Sequence, residues 1–87
     1  MSSIIAVTGA ITAATRLSKK LEKLGYINSQ VIHTPLSISV EGCSYSVRTD
    51  ENALESIRNL NKKPAIRIKK LYKEVISSEG REYYDIS

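Results

Sequence analysis

The sequence predicts an α+β domain of the ferredoxin-like βαββαβ type, and three observations predict it. Ile4, Ile5, Ala6 and Val7 form an apolar run too short for a helix, as expected of a strand buried on both faces. Two segments, about 9–24 and 53–60, carry apolar residues at three- and four-residue steps. The remaining segments alternate apolar and polar residues with period two. The order strand, helix, strand, strand, helix, strand is that of a split βαβ unit, whose sheet order is 4-1-3-2. The first strand is then central, both helices cover one face, and the second strand is an exposed edge. The 87 residues hold one core and form a single domain, a sandwich over about 3–71 with a hairpin over about 71–87 added to it.

Each element follows from local pattern. After the first strand, Thr8 and Gly9 end the run. Ala10, Ala13, Ala14, Leu17, Leu21 and Leu24 then define one helical face, with Arg16, Lys19, Lys20, Glu22 and Lys23 on the other. Thr8 is the expected N-cap and Gly25 the stop. Ile27, Val31 and His33 share one parity of a second strand that Thr34-Pro35 closes, and the Ile27/Val31 side is expected to face the helices. After a loop through Leu36 to Gly42, Cys43, Tyr45 and Val47 alternate with Ser44, Ser46 and Arg48, which predicts a third strand with a polar outer face. Asp50 caps a helix built on Ala53, Leu54, Ile57 and Leu60, stopped by Asn61 to Pro64. Ala65 to Lys70 is the expected fourth strand, and Leu71–Ile76 with Arg81–Ile86 the expected hairpin.

Composition narrows the chemistry. No apolar run approaches the ~18 residues of a membrane span, and the first ten residues lack the basic and apolar regions of a secretory signal, so a cytoplasmic protein with no membrane partner is expected. One Cys and one His exclude an internal disulfide and leave no ordinary four-ligand zinc site, so neither a metal nor a cofactor is expected. Thirteen basic residues against nine acidic give +4, with six of them between Lys62 and Lys73. That segment has a single aromatic, Tyr72, and the first strand has none, so nucleic-acid binding is not expected; a lysine-rich edge that discourages aggregation is the simpler reading. With no Phe or Trp, the core must come from Ile, Leu, Val and Ala, with tyrosines at its margins.

Cys43 is the strongest nucleophile in the chain. A lone cysteine on the inward side of a strand is usually a small core residue. Three features argue otherwise here. Cys43 follows Gly42 at the very start of its strand; the predicted topology brings that point beside Thr8-Gly9 and the positive end of the first helix; and His33 faces it if strands two and three pair antiparallel. A thiol of pKa about 8.5 is ~3% thiolate at pH 7, and lowering it to between about 7.5 and 6.5 makes it roughly 25–75% ionised. No second cysteine can resolve a disulfide, and no acid stands behind His33 as in a triad. A thiol that carries a group fits better than one that turns over a substrate, so an enzyme is not the favoured reading.

The run Thr34-Pro35-Leu36-Ser37-Ile38-Ser39-Val40-Glu41-Gly42-Cys43-Ser44-Tyr45-Ser46-Val47-Arg48, with an N-terminal strand and an Ala-containing helix before it, resembles the selenium/sulfur carrier-protein-like family, a small domain family of unknown function. The resemblance spans roughly Ile4 to Tyr72, and the Thr-Pro to Cys spacing is its specific part. Many members have Gly directly after the Cys, where this chain has Ser44. The resemblance implies sulfur or selenium carriage on Cys43 as a persulfide or selenopersulfide, with donor and acceptor proteins as partners. The residues themselves add His33 as an assisting group, and Thr8, Gly9, Thr34, Gly42 and Ser44 as the polar surroundings of the anion. The other reading, of a different class, is a non-catalytic interaction or regulatory domain that binds a protein or nucleic-acid partner through the exposed edge strand or the basic face. Ile27 to Ile32 carries no lysine or proline, so a homodimer through that edge is also an expectation.

Overall fold

The computed structural model describes residues 2–38, 44–61 and 68–86. In chain order its elements are β1 (Ser2–Gly9), α1 (Ile11–Lys23), β2 (Gln30–His33), β3 (Tyr45–Asp50), a 3-10 turn (Glu51–Ala53) running into α2 (Leu54–Asn61), β4 (Lys70–Ser77) and β5 (Gly80–Asp85). The five strands form one antiparallel sheet in the order β2-β3-β1-β4-β5. β1 is central, as its unbroken apolar run requires. Each helix joins two strands that run parallel with one antiparallel strand between them: α1 links β1 to β2 across β3, and α2 links β3 to β4 across β1.

The predicted sheet order 4-1-3-2 needs correction on this side. The strand beside β1 is Lys70–Ser77, not Ala65–Lys70, and its register runs from Ser2 opposite Val75 to Val7 opposite Lys70. Residues 65–67 of the expected fourth strand lie outside the described residues. The expected hairpin does exist, as β4 and β5, but it is no appendage. Eight residues of alternating pattern let β4 pair with β1 on one edge and β5 on the other, so the hairpin completes the main sheet.

Both helices pack on one face. Ile4 and Ala6 of β1, Val47 of β3 and Leu71 of β4 meet Ala14, Leu17 and Leu21 of α1 and Ala53, Ile57 and Leu60 around α2, with Ile68 closing the cluster. Tyr26, Tyr45, Leu54 and Ile86 pack at its margin. Period 3.6 on the helices and period 2 on the strands thus aim one stripe from each at the same layer.

Element ends show where local chemistry decided. α1 starts at Ile11 with Ala10 as its N-cap and no side-chain cap, since Thr8 lies two residues before the cap position and its hydroxyl donates to the Tyr45 and Ala10 carbonyls. Thr8 is therefore not the cap. Its C-terminus is a Schellman motif: Tyr26 N–H donates to Leu21 C=O at 2.9 Å and Gly25 N–H to Glu22 C=O at 3.0 Å, with Gly25 at φ +103°. β2 is shorter than expected. The Ser29 hydroxyl donates to Tyr26 C=O at 2.8 Å and its N–H donates to the same carbonyl, so 26–29 is a turn, and Ile27 stands 80% exposed rather than facing the helices. Asp50 caps as expected, its carboxylate accepting from Asn52 N–H at 2.9 Å, but the first turn it caps is 3-10.

Among the described residues no helix covers the opposite face of the sheet, yet that face is not a simple polar surface. Ile5 is fully buried there, with Arg48 and Tyr72 directly opposite it on the two flanking strands. Beside them Glu74 is fully buried. Arg48 donates to its carboxylate through Nε at 3.0 Å and Nη2 at 2.9 Å, Tyr83 donates its hydroxyl at 2.7 Å, and Arg81 stands 3.8 Å away. The sequence showed Arg48 only as an outward residue. The buried carboxylate that holds it comes from a strand 26 residues on.

Candidate functional site

The candidate site lies where β1 ends, β3 begins and β2 ends. Gly9 and His33 both lie opposite Tyr45 in the strand register. The β1–β3 pairing shifts between Val7 and Gly9, leaving Thr8 as a bulge residue. Thr8 is buried and its Oγ1 donates to Tyr45 C=O at 3.0 Å, with a second contact to Ala10 C=O at 3.3 Å. Gly9 adopts φ +87°, which turns the chain from strand into helix and which L side chains rarely adopt. A Cβ on Gly9 would also stand 2.9 Å from Lys69 Nζ, so the lysine lies directly along this turn.

Thr34 ties the β2 end to the β3 start. Its N–H donates to Ser44 C=O at 2.9 Å, continuing the ladder one residue beyond β2. Its Oγ1 accepts from the Ser44 hydroxyl at 2.6 Å and is 2.6 Å from the Ser46 hydroxyl. Three hydroxyls so joined leave the fully buried Ser46 satisfied, which explains how a residue of the predicted polar outer face comes to be buried. His33 is exposed, and its ring packs on Tyr45 with centroids 4.8 Å apart.

Five sequence-derived residues therefore assemble at one end of the sheet: Thr8, Gly9, His33, Thr34 and Ser44. Cys43 and Gly42 lie outside the described residues. Two neighbours escaped the sequence reading. Lys69 was visible only as part of a basic run; its N–H donates to Val7 C=O at 2.8 Å, and this bond between the β1 and β4 segments is what brings it to Gly9. Tyr45 was read as a core-margin residue, and it also forms the platform for His33. The first turn of α1 begins two residues after Gly9, with no acidic residue and no side-chain cap, so its backbone N–H groups keep their positive character.

Among the described residues there is no cluster of three or more His, Cys, Asp or Glu side chains able to hold a metal ion. No helix among them is long and apolar enough to cross a membrane. An open groove bordered by Glu51, Asn52, Leu54, Glu55, Arg58 and Asn59 lies at the other end of β3 and shares no residue with the site.

A sequence profile of one family, described as "Putative Se/S carrier protein-like", matches residues 3–73. That span contains every residue of the candidate site. No curated protein and no solved structure gives a significant match.

Proposed function

The chain belongs to the Se/S carrier protein-like family, and from that premise we propose that it carries sulfur or selenium on Cys43 as a persulfide or selenopersulfide. The observation that carries this reading is the family match across Cys43. The surroundings support it: Ser44, the next residue in the chain, is held by Thr34 through one backbone and one hydroxyl bond. The same end of the sheet holds an uncapped helix start and the Lys69 ammonium, both favourable to an anion.

The step needs no oxidant. The Cys43 thiolate attacks the outer sulfur of a donor persulfide, a new S–S bond forms, the donor's S–S bond breaks, and the donor leaves as a thiolate. The proton on the transferred sulfur stays with it. Reversal of the same exchange delivers the sulfur to an acceptor thiolate, and a selenium atom in the outer position follows the same course. His33, stacked on Tyr45, assists this exchange, so His33→Ala slows loading without abolishing it. Within this reading the fold is a ferredoxin-like sandwich whose sheet is widened by β5.

Alkylation by iodoacetamide against pH tests the premise that Cys43 is an accessible, ionised thiol. The carrier reading expects rapid reaction of the native protein at pH 7, with an apparent pKa well below the ~8.5 of a free cysteine. Protection in the native state with full reactivity after denaturation would make Cys43 a core residue instead.

A further inference from the structure

We infer that the outer face of α1 docks an acidic surface of a partner protein and holds it against the sheet end formed by β1 and β3. The inference rests on the carrier reading, which requires a protein to reach that end. Arg16, Lys19, Lys20 and Lys23 are all exposed on α1. At 100° per residue Thr12, Arg16, Lys19 and Lys23 fall within one narrow arc opposite the buried Ala14, Leu17 and Leu21, with Lys20 at its border. Among the described residues none of these four cations has an ion-pair partner, and the one acid of the helix, Glu22, bridges none of them.

The contrast within the molecule gives this its force. Arg48 and Arg81 approach Glu74, Lys70 pairs with Asp85, and Lys73 lies 4.0 Å from Glu51. The cations of β3, β4 and β5 are thus answered by the protein's own carboxylates, and among the described residues those of α1 are not. Lys20 and Lys23 sit in the last turn, where they suit the helix dipole. Arg16 and Lys19, in the middle of the helix, have no such reason to be there.

Position selects the partner's place and chemistry selects its class. The stripe begins with Arg16, five residues or about 7.5 Å along the axis from the helix start that adjoins Gly9. It runs on to Lys23, about 18 Å from the helix start, so a partner seated on it reaches the site from its Arg16 end. α1 contains no aromatic residue on which bases could stack, and the outer arc holds no apolar side chain to enter a bilayer. An acidic polypeptide surface, met by point charges on one helix face, satisfies what is present.

Amide spectra of the full chain at low ionic strength, titrated with an oligoglutamate peptide, test the inference; a single-stranded oligouridylate and anionic phospholipid vesicles serve as the competing probes. Shifts should be largest over 12–23, and salt should weaken them. Arg16→Glu with Lys19→Glu and Lys23→Glu should lower affinity at least about tenfold, and the three Gln replacements should lower it less in a chain of unchanged helicity. Lys73→Gln, on the strand beyond the site, should leave it within twofold. Shifts centred on 69–73, unchanged affinity in the Gln and Glu variants, or tighter binding of the oligouridylate or the vesicles would each overturn the inference. The titration does not use the thiol, so Cys43→Ser should titrate identically; failure of Cys43 to load sulfur would then refute the carrier reading while the docking result stood separately.

Discussion

Two regions of this protein use the same residue types to opposite ends. Around β3, β4 and β5, arginine and lysine are consumed internally: Glu74 is fully buried and receives two bonds from Arg48 and one from Tyr83. On α1, four cations project into solvent without an ion-pair partner among the described residues. Arg48 is therefore part of the structure, and the basic residues of α1 are available to something else. Net charge alone, +4, does not distinguish these roles.

The sharpest way to break this comparison is Glu74→Ala, which should strand the Arg48 guanidinium and the Tyr83 hydroxyl. Loss of one partner of a buried pair costs ~3–5 kcal/mol, and the Arg48 side chain, 28% exposed, can regain some water, so about 2–3 kcal/mol is expected in chemical denaturation. The pH dependence has a definite sign. Burial pushes the Glu74 carboxyl up, but the Arg48 and Tyr83 hydrogen bonds and the nearby Arg48 and Arg81 charges outweigh it and hold the group below the usual carboxylate range. Its contribution is thus present above the unfolded value of 4.5 and is lost as pH falls through the lower folded value. In a denaturation series across acid pH, Glu74→Gln should flatten that loss.

A smaller effect is expected at Thr34. Thr34→Val removes the hydroxyl that meets Ser44 and Ser46 and leaves the buried Ser46 short of a partner, while the N–H bond to Ser44 persists. Destabilisation of about 1–2 kcal/mol is expected by urea denaturation. Gly9→Ala should cost about 1 kcal/mol, from the positive φ more than from Lys69, whose flexible end can move aside. Smallest of all, replacing Arg16, Lys19 and Lys23 with Gln should not move the denaturant midpoint measurably. If that triple variant were as damaging as Glu74→Ala, the division between structural and available charge would be wrong.

The sequence made the layers legible because their signals are local: the run Ile4–Val7, the 3.6-residue stripe of α1 and the Asp50 cap each act within a few residues. It hid what depends on partners far along the chain. Arg48 and Glu74 are 26 residues apart, and only the strand order places them side by side. The Thr8 cap failed for a related reason, since the bulge at Thr8 and the turn at Gly9 delay the N-cap to Ala10, leaving the Thr8 hydroxyl beside the carbonyl of Tyr45, 37 residues on. β2 lost its first residues to Ser29, whose short hydroxyl found a turn carbonyl three residues back. Of the candidate site, Thr8, Gly9, His33, Thr34 and Ser44 were drawn together by a topology argument that required only the order of β1, β2 and β3. Lys69 required the register of the β4 segment, which no period in the sequence reveals.

Sulfur loading tests the central claim most directly. The protein is incubated with a cysteine desulfurase and cysteine, and its intact mass is measured before and after treatment with a thiol reductant. The account predicts a reducible adduct of about 32 Da on the wild type, as thiol persulfidation gives, and none on Cys43→Ser. A wild-type mass that stays unchanged while an established persulfide acceptor loads in the same mixture would contradict it.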